Sequence, residues 1–233
     1  MKTSTRFIFL GIFLLFLSNG CALYDQFFGK GETEMLPEEL MSEGMKDVDS
    51  GNYKNAIEKF QEVKDRYPYS RYAIEAELKV GDAYFKKGDY DSAYNAYDEY
   101  ERMHPRDKNI PYAIYQKGMS HFRQIESIDR EQTHTLSAKD EFERLIKRFP
   151  KDPHANKARR NIRECLIFLA EYELYVGRFY FRKGKYKAAM DRFLYLIMNY
   201  PDMGQYHHAL EYISLCKERL SETVDNPPPE SES

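Results

Sequence analysis

GDAYFKKGDYDSAYNAYDEYERMHP, residues 81–105, is matched at fixed offsets by GMKDVDSGNYKNAIEKFQEVKDRYP, residues 44–68, and GRFYFRKGKYKAAMDRFLYLIMNYP, residues 177–201. Each stretch opens on Gly and carries a second Gly seven residues later, Tyr nine later, Ala twelve later, an aromatic sixteen later and Pro twenty-four later. Those positions are Gly51, Tyr53, Ala56, Phe60 and Pro68; Gly88, Tyr90, Ala93, Tyr97 and Pro105; and Gly184, Tyr186, Ala189, Phe193 and Pro201. Two helices joined by a tight turn explain every one of them. The opening Gly lets the two backbones approach, and the second Gly suits a turn with φ > 0. Ala sits where a larger side chain would push the first helix away, and the aromatic fills the space one turn on. Pro ends the second helix, because it disfavours helix at the residue before it and lacks the N–H of the ladder.

This is the tetratricopeptide pattern, so the predicted fold is an all-α solenoid of four to five helix-turn-helix repeats. A third, altered copy runs from Gly118 through Ala138 and Phe142 to Pro150, with 20 residues between Gly118 and Ala138 where the others have 12. The extra residues fall in QIESIDREQTHT and read as a polar, extended loop. From about His154 to Lys183 the apolar residues Ile162, Cys165, Leu166, Leu169, Ala170, Leu174 and Tyr175 recur three or four apart, as in one long helix or two nearly collinear ones. Gln205 to Leu220 reads as a last amphipathic helix that caps the array.

The N-terminus is an address. Lys2 and Arg6 precede FIFLGIFLLFL, residues 7–17, and then Ser18, Asn19, Gly20 and Cys21, the layout of a secretory signal. Eleven helical residues rise about 16 Å, far short of the roughly 30 Å hydrocarbon core, so the run does not span a membrane. LSNGC resembles the lipobox of bacterial lipoproteins, with Gly20 as the small residue before an acylated Cys21 and Ser18 where leucine is usual. Ala22 in place of Asp implies export to the outer membrane. The domain reading is a signal peptide at 1–20, a lipid-anchored tether at 21–36, the repeat domain at 37–222 and a disordered Pro-rich tail at 223–233. Cys165 and Cys216 lie within helical patterns, and an exported chain leaves both a disulfide and two buried thiols open.

The chemistry of the chain points away from catalysis. With 35 basic and 38 acidic residues among 233, the net charge of −3 offers no footprint for nucleic acid. No phosphate-binding loop, zinc-protease, nucleophile-elbow or C-x-x-C motif is present, so neither an enzyme nor a cofactor or metal is expected. His207 and His208 are adjacent and point about 100° apart on a helix, a poor chelate. What remains is surface, and 20 Tyr and 15 Phe without a Trp suit helix packing and binding faces. In the tetratricopeptide family, set positions on the first helix line the concave groove, and the resemblance carried onto the first three repeats implies a candidate peptide groove: Met41, Met45 and Val48; Leu78, Asp82 and Phe85; Tyr112, Tyr115, Met119 and Phe122. Each has a structural alternative, packing on the helix of the next repeat.

GMSHFRQIESIDREQTHT followed by AKDEFERLIKRFP, together with Cys21, YKNAIEKFQEVKDRYPYS and LAEYELYVGRFYFRKGKYKAAMDRF, resembles the BamD family, tetratricopeptide lipoproteins of the outer-membrane β-barrel assembly machinery of Gram-negative bacteria. The resemblance covers about residues 18–220. It implies an outer-membrane, lipid-anchored scaffold on the periplasmic face. Its N-terminal repeats would receive unfolded outer-membrane proteins and its C-terminal repeats would dock the barrel subunit BamA, beside other lipoproteins of the machinery. An arginine at the BamA contact corresponds to Arg192, for which a solvated surface position is the alternative. The competing assignment is a generic envelope tetratricopeptide adaptor linked to peptidoglycan or cell division; the DREQTHT insertion argues against it.

Overall fold

The computed structural model describes residues 34–201 and 203–225. The expected signal peptide, Cys21, most of the tether and residues 226–233 of the tail lie outside the described residues. Within them the chain is all helix: α1 (Pro37–Asp49), α2 (Tyr53–Arg66), α3 (Ala73–Lys87), α4 (Tyr90–Met103), α5 (Ile110–Phe122), α6 (Thr133–Arg148), α7 (Pro153–Arg182), α8 (Tyr186–Asn199) and α9 (Tyr206–Asp225). Each helix packs on the next in chain order. The pairs α1/α2, α3/α4, α5/α6 and α7/α8 are four repeats, each with a first (A) and a second (B) helix, and α9 closes the end as a fifth A-type helix.

The repeat signature is the packing contact. Ala56, Ala93, Ala138 and Ala189 are fully buried, and so are Phe60, Tyr97, Phe142 and Phe193. The opening glycine of each repeat faces that aromatic ring rather than the alanine. A Cβ placed on Gly81 would stand 2.7 Å from a Tyr97 ring carbon, and one on Gly44 would stand 2.5 Å from Phe60. The ring therefore lies flat against bare backbone, and glycine is the residue that leaves room for it. The second glycine works as expected: Gly51, Gly88 and Gly184 have φ of 81°, 85° and 71°, the left-handed region that ends an α-helix at lowest cost. Before each proline the backbone leaves the helix, with ψ of 50–62° at Tyr67, His104, Phe149 and Tyr200.

The structure differs from the sequence expectations at three places and decides between two open alternatives at a fourth. Residues 34–36 of the expected tether are built into the first repeat: Tyr67 donates its hydroxyl to the Met35 carbonyl at 2.8 Å, and the Leu36 N–H donates to the Glu39 carboxylate at 3.0 Å. The third-repeat insertion is shorter as a loop than expected. Thr133, His134 and Thr135 belong to α6, which starts after Gln132, and buried Thr135 donates to the Gln132 side chain at 2.9 Å. Residues 153–182 form one uninterrupted helix of 30 residues, about 45 Å long. Its first half packs on α6 and α5, and its second half pairs with α8. The last helix extends five residues past Leu220, to Asp225.

Candidate protein-binding site

The repeat register places the A helices side by side, and three of them wall one cleft. It measures about 310 Å³ and is lined by Met45 and Val48 of α1, Lys79, Asp82, Phe85 and Lys86 of α3, and Tyr112 and Gln116 of α5. Met45 is 38% exposed, whereas Val48 is buried. The wall is fixed from behind by one carboxylate. Asp82 accepts the Tyr97 hydroxyl at 2.8 Å and the Tyr112 hydroxyl at 2.6 Å, and it pairs with Lys79 at 3.1 Å. Gln116 donates to both tyrosine hydroxyls, at 3.3 and 3.2 Å. Burial first, then the Asp82 charge, push the Tyr97 and Tyr112 phenols far above the ordinary tyrosine range, so both stay protonated donors. The result is an apolar cleft with a rigid, fully bonded polar side and two lysines at its rim.

The sequence-derived groove divides in two on this structure. Met45, Val48, Phe85 and Tyr112 meet in the cleft. Leu78 is buried in the core of the second and third repeats. Tyr115, Met119 and Phe122 are part-buried against the same core, the first two also against α7, which is the packing alternative. Tyr115 lies 5.5 Å from the His154 ring, Asn161 donates to the Met119 sulfur at 2.8 Å, and Phe122 meets Phe142 edge-on at 6.2 Å. The cause is the next repeat: α7, which starts at Pro153, packs on both α6 and α5.

The opposite side of the middle repeats holds a charge network that the sequence reading missed. Lys117 is buried and reaches Asp98 at 2.6 Å and Glu101 and Glu141 at 3.4 Å. Arg144 makes a two-pronged pair with Glu101, at 2.6 and 2.9 Å, and Arg148 adds a third contact at 2.7 Å. Burial alone would raise the Glu101 pKa, yet Arg144 and Lys117 outweigh it and hold the group below the usual carboxylate range. This network joins α4, α5 and α6, and its i, i+3 and i, i+4 members look like any solvated helix face in sequence.

Arg192 is not a free surface arginine. Its guanidinium donates to Glu173 of α7 at 3.1 and 3.4 Å, and the Glu173 side chain is only 10% exposed. Cys165 and Cys216 are separate, buried free thiols, and burial pushes the Cys165 thiol up to about 12. Across the insertion, His121 and His134 bring their Nδ1 atoms to 3.3 Å. Burial, then His134, holds His121 below the ordinary histidine range, and the Tyr94 ring lies 4.7 Å away.

Comparison with known proteins places the chain. Residues 33–226 match the model of the YfiO family, described as an outer membrane lipoprotein. The outer membrane protein assembly factor BamD of Neisseria meningitidis serogroup B is 28% identical over 193 residues, covering 78% of this chain and 72% of that one. BamD of Vibrio cholerae is 29% identical over 188 residues, covering 76% of this chain and 78% of that one. The solved TPR2AB-domain:pHSP90 complex of yeast Sti1 superposes with a TM-score of 0.50 at 15% identity, over 81% of this chain and 72% of that one, a likeness of fold alone. No helix among the described residues is long and apolar enough to cross a membrane.

Proposed function

We infer the function from one premise: the chain belongs to the YfiO family of outer membrane lipoproteins. It is an outer-membrane protein assembly factor, as its relatives are named. In our reading it is a non-catalytic scaffold, held to the periplasmic face of the outer membrane through acyl chains on Cys21. It receives unfolded outer-membrane proteins and docks a BamA-like barrel subunit for their insertion.

The observation that carries the client role is the A-helix cleft. Met45, Val48 and Phe85 offer an apolar seat, and Lys79 and Lys86 stand at its rim. An extended client ending in an aromatic residue and a free carboxylate fits that combination. Aromatic anchors seated in such pockets often carry more than about 2 kcal/mol each. A photo-crosslinker at Phe85 should capture an outer-membrane-protein C-terminal peptide, whereas one at Lys54, on the far side of the first repeat, should not. Tyr115, packed on α7, is expected to capture less than Phe85. Equal capture from Phe85 and Lys54 sinks the cleft assignment.

The docking role rests on the fourth repeat, where the internal repeat serves as control. Counting from the buried aromatic, the positions one, two and five later on the B helix are Gln61, Glu62 and Asp65, then Asp98, Glu99 and Arg102, then Glu143, Arg144 and Lys147. In the fourth repeat they are Leu194, Tyr195 and Met198, with Tyr195 47% and Met198 77% exposed. An apolar face beside Arg192, where three equivalent faces are polar, suits a partner that brings apolar contacts and a carboxylate. Arg192→Glu alone is a poor test of this contact, because Arg192 is already paired with Glu173. It would leave a buried carboxylate facing a second one. The double variant Glu173→Gln/Arg192→Gln removes that repulsion. If it folds normally and binds the barrel subunit as wild type does, Arg192 is not in the interface.

A further inference from the structure

We propose that His121 and His134 form a two-imidazole site for a late transition-metal ion such as Zn²⁺ or Co²⁺, which staples the inserted loop of the third repeat shut. His121 lies in the last turn of α5 and His134 in the first turn of α6, on either side of residues 123–132. Their Nδ1 atoms are 3.3 Å apart. Two nitrogens bound to one tetrahedral ion at about 2.0–2.1 Å stand about 3.3 Å from each other, so the side chains already hold the edge of a coordination tetrahedron. Without an ion the same geometry is a hydrogen bond, in which one Nδ1–H donates and the other Nδ1 accepts. Metal binding replaces the shared proton. The donor ring passes to its Nε2–H tautomer, so neutral rings release no proton and a protonated ring releases one.

The site opens to solvent, so a bound cation would keep water ligands. His121 borders an open cleft of about 230 Å³ lined also by Tyr94, Ser137, Asp140, Glu141 and Arg144. Glu141 and Asp91 act on His121 as negative charges, opposed by His134 and Lys117, and Glu141 is itself paired with Lys117 and Arg144. Among the described residues no set of three His, Cys, Asp or Glu side chains closes a metal site. The ion would therefore complete its shell with water, and we expect reversible, micromolar-range binding and a preference for imidazole-seeking ions over Mg²⁺ or Ca²⁺. The sequence reading expected no metal because the two histidines are thirteen residues apart and only the fold of the insertion brings them together.

The test uses the untagged full chain in detergent micelles, stripped with a chelator. Zn²⁺ is titrated by calorimetry and Co²⁺ by visible absorption. One equivalent should bind, with intense tetrahedral Co²⁺ bands, and affinity should fall at least tenfold in His121→Asn and in His134→Asn. His207→Asn/His208→Asn, on the exposed start of α9, should bind as wild type does. Zn²⁺ should raise the unfolding midpoint of wild type and of that control, but not of the first two variants. Should either single variant misfold, the ring-proton resonances of the unaltered protein supply the reading: those of His121 and His134 must respond first to substoichiometric Co²⁺. Absence of saturable one-equivalent binding, or binding kept by both single variants or lost with His207 and His208, overturns the proposal.

Discussion

Adding one methyl group at Gly177 tests the packing logic of the whole solenoid. Gly177 lies inside the 30-residue helix α7, where replacing glycine by alanine ordinarily gains about 1 kcal/mol in helix propensity. Here the new Cβ would fall 2.8 Å from Cδ1 and Cζ of Phe193, nearer than carbon atoms approach. Phe193 has no room to retreat: it is fully buried and stacked on Tyr212 at 5.0 Å. Overpacking a closed site costs roughly 1–3 kcal/mol, which offsets or exceeds the propensity gain, so Gly177→Ala should lower stability by up to about 2 kcal/mol. The informative comparison is the Phe193→Leu background, where the smaller side chain clears the path. There the same substitution should be neutral or stabilising, a coupling of about 1–3 kcal/mol between two residues that touch. Urea unfolding of the four proteins, compared at unchanged m-value, measures it. A stabilising Gly177→Ala in the presence of Phe193, or two additive effects, would show that ring and backbone are not wedged together.

Four further outcomes are expected. Ala93→Leu and Ala189→Leu, at fully buried positions of α4 and α8, should each cost roughly 1–3 kcal/mol by overpacking; unchanged denaturation midpoints for both would break the repeat register. Cys21→Ser should release the protein from the outer membrane into the soluble periplasmic fraction, and a variant that still floats with membrane after a high-salt, high-pH wash contradicts the lipid anchor. Glu101 has a depressed pKa in the fold, so its contribution is present above the ordinary glutamate value of about 4.3 and is lost as the pH falls through the folded value. Glu101→Gln should therefore lower the thermal midpoint at neutral pH and flatten its fall on acidification; a parallel fall in both proteins argues against the network. Arg192→Gln alone strands the buried Glu173 and should cost roughly 1–3 kcal/mol, recovered when Glu173→Gln is added; no recovery means that the pair is not what holds Arg192.

How far the sequence could be read depended on whether a feature is periodic. The repeat glycines, alanines and prolines announce themselves because each copy obeys the same steric rule, and the spacing of Ile162, Cys165, Leu169 and Leu174 allowed the long α7 without excluding two collinear helices. The insertion was readable in position but not in extent, since a polar THT segment extends a helix only when Thr135 and Gln132 find a buried partner in each other. Of the groove, the half formed by Met45, Val48, Phe85 and Tyr112 could be found by register alone. Tyr115, Met119 and Phe122 obey the same register, but α7 lies over the first two and Phe142 of α6 meets the third, and the chain path that puts them there has no local signature. Arg192 with Glu173, Lys117 with its carboxylates, and His121 with His134 are pairings across helices, and one chain's residue order does not encode who faces whom.

The unbroken helix α7 also governs how the array comes apart. In a solenoid where every repeat touches only its neighbours, each can fray nearly on its own, and stability is a sum of local terms. Here a single rod of about 45 Å contributes its first half to the core of α5 and α6 and its second half to that of α8 and α9. Melting the fourth repeat therefore strips support from the third, and with it from the second, whose Tyr97 and Tyr100 share the core of α5 and α6, while α1, α2 and one face of α3 keep a core of their own.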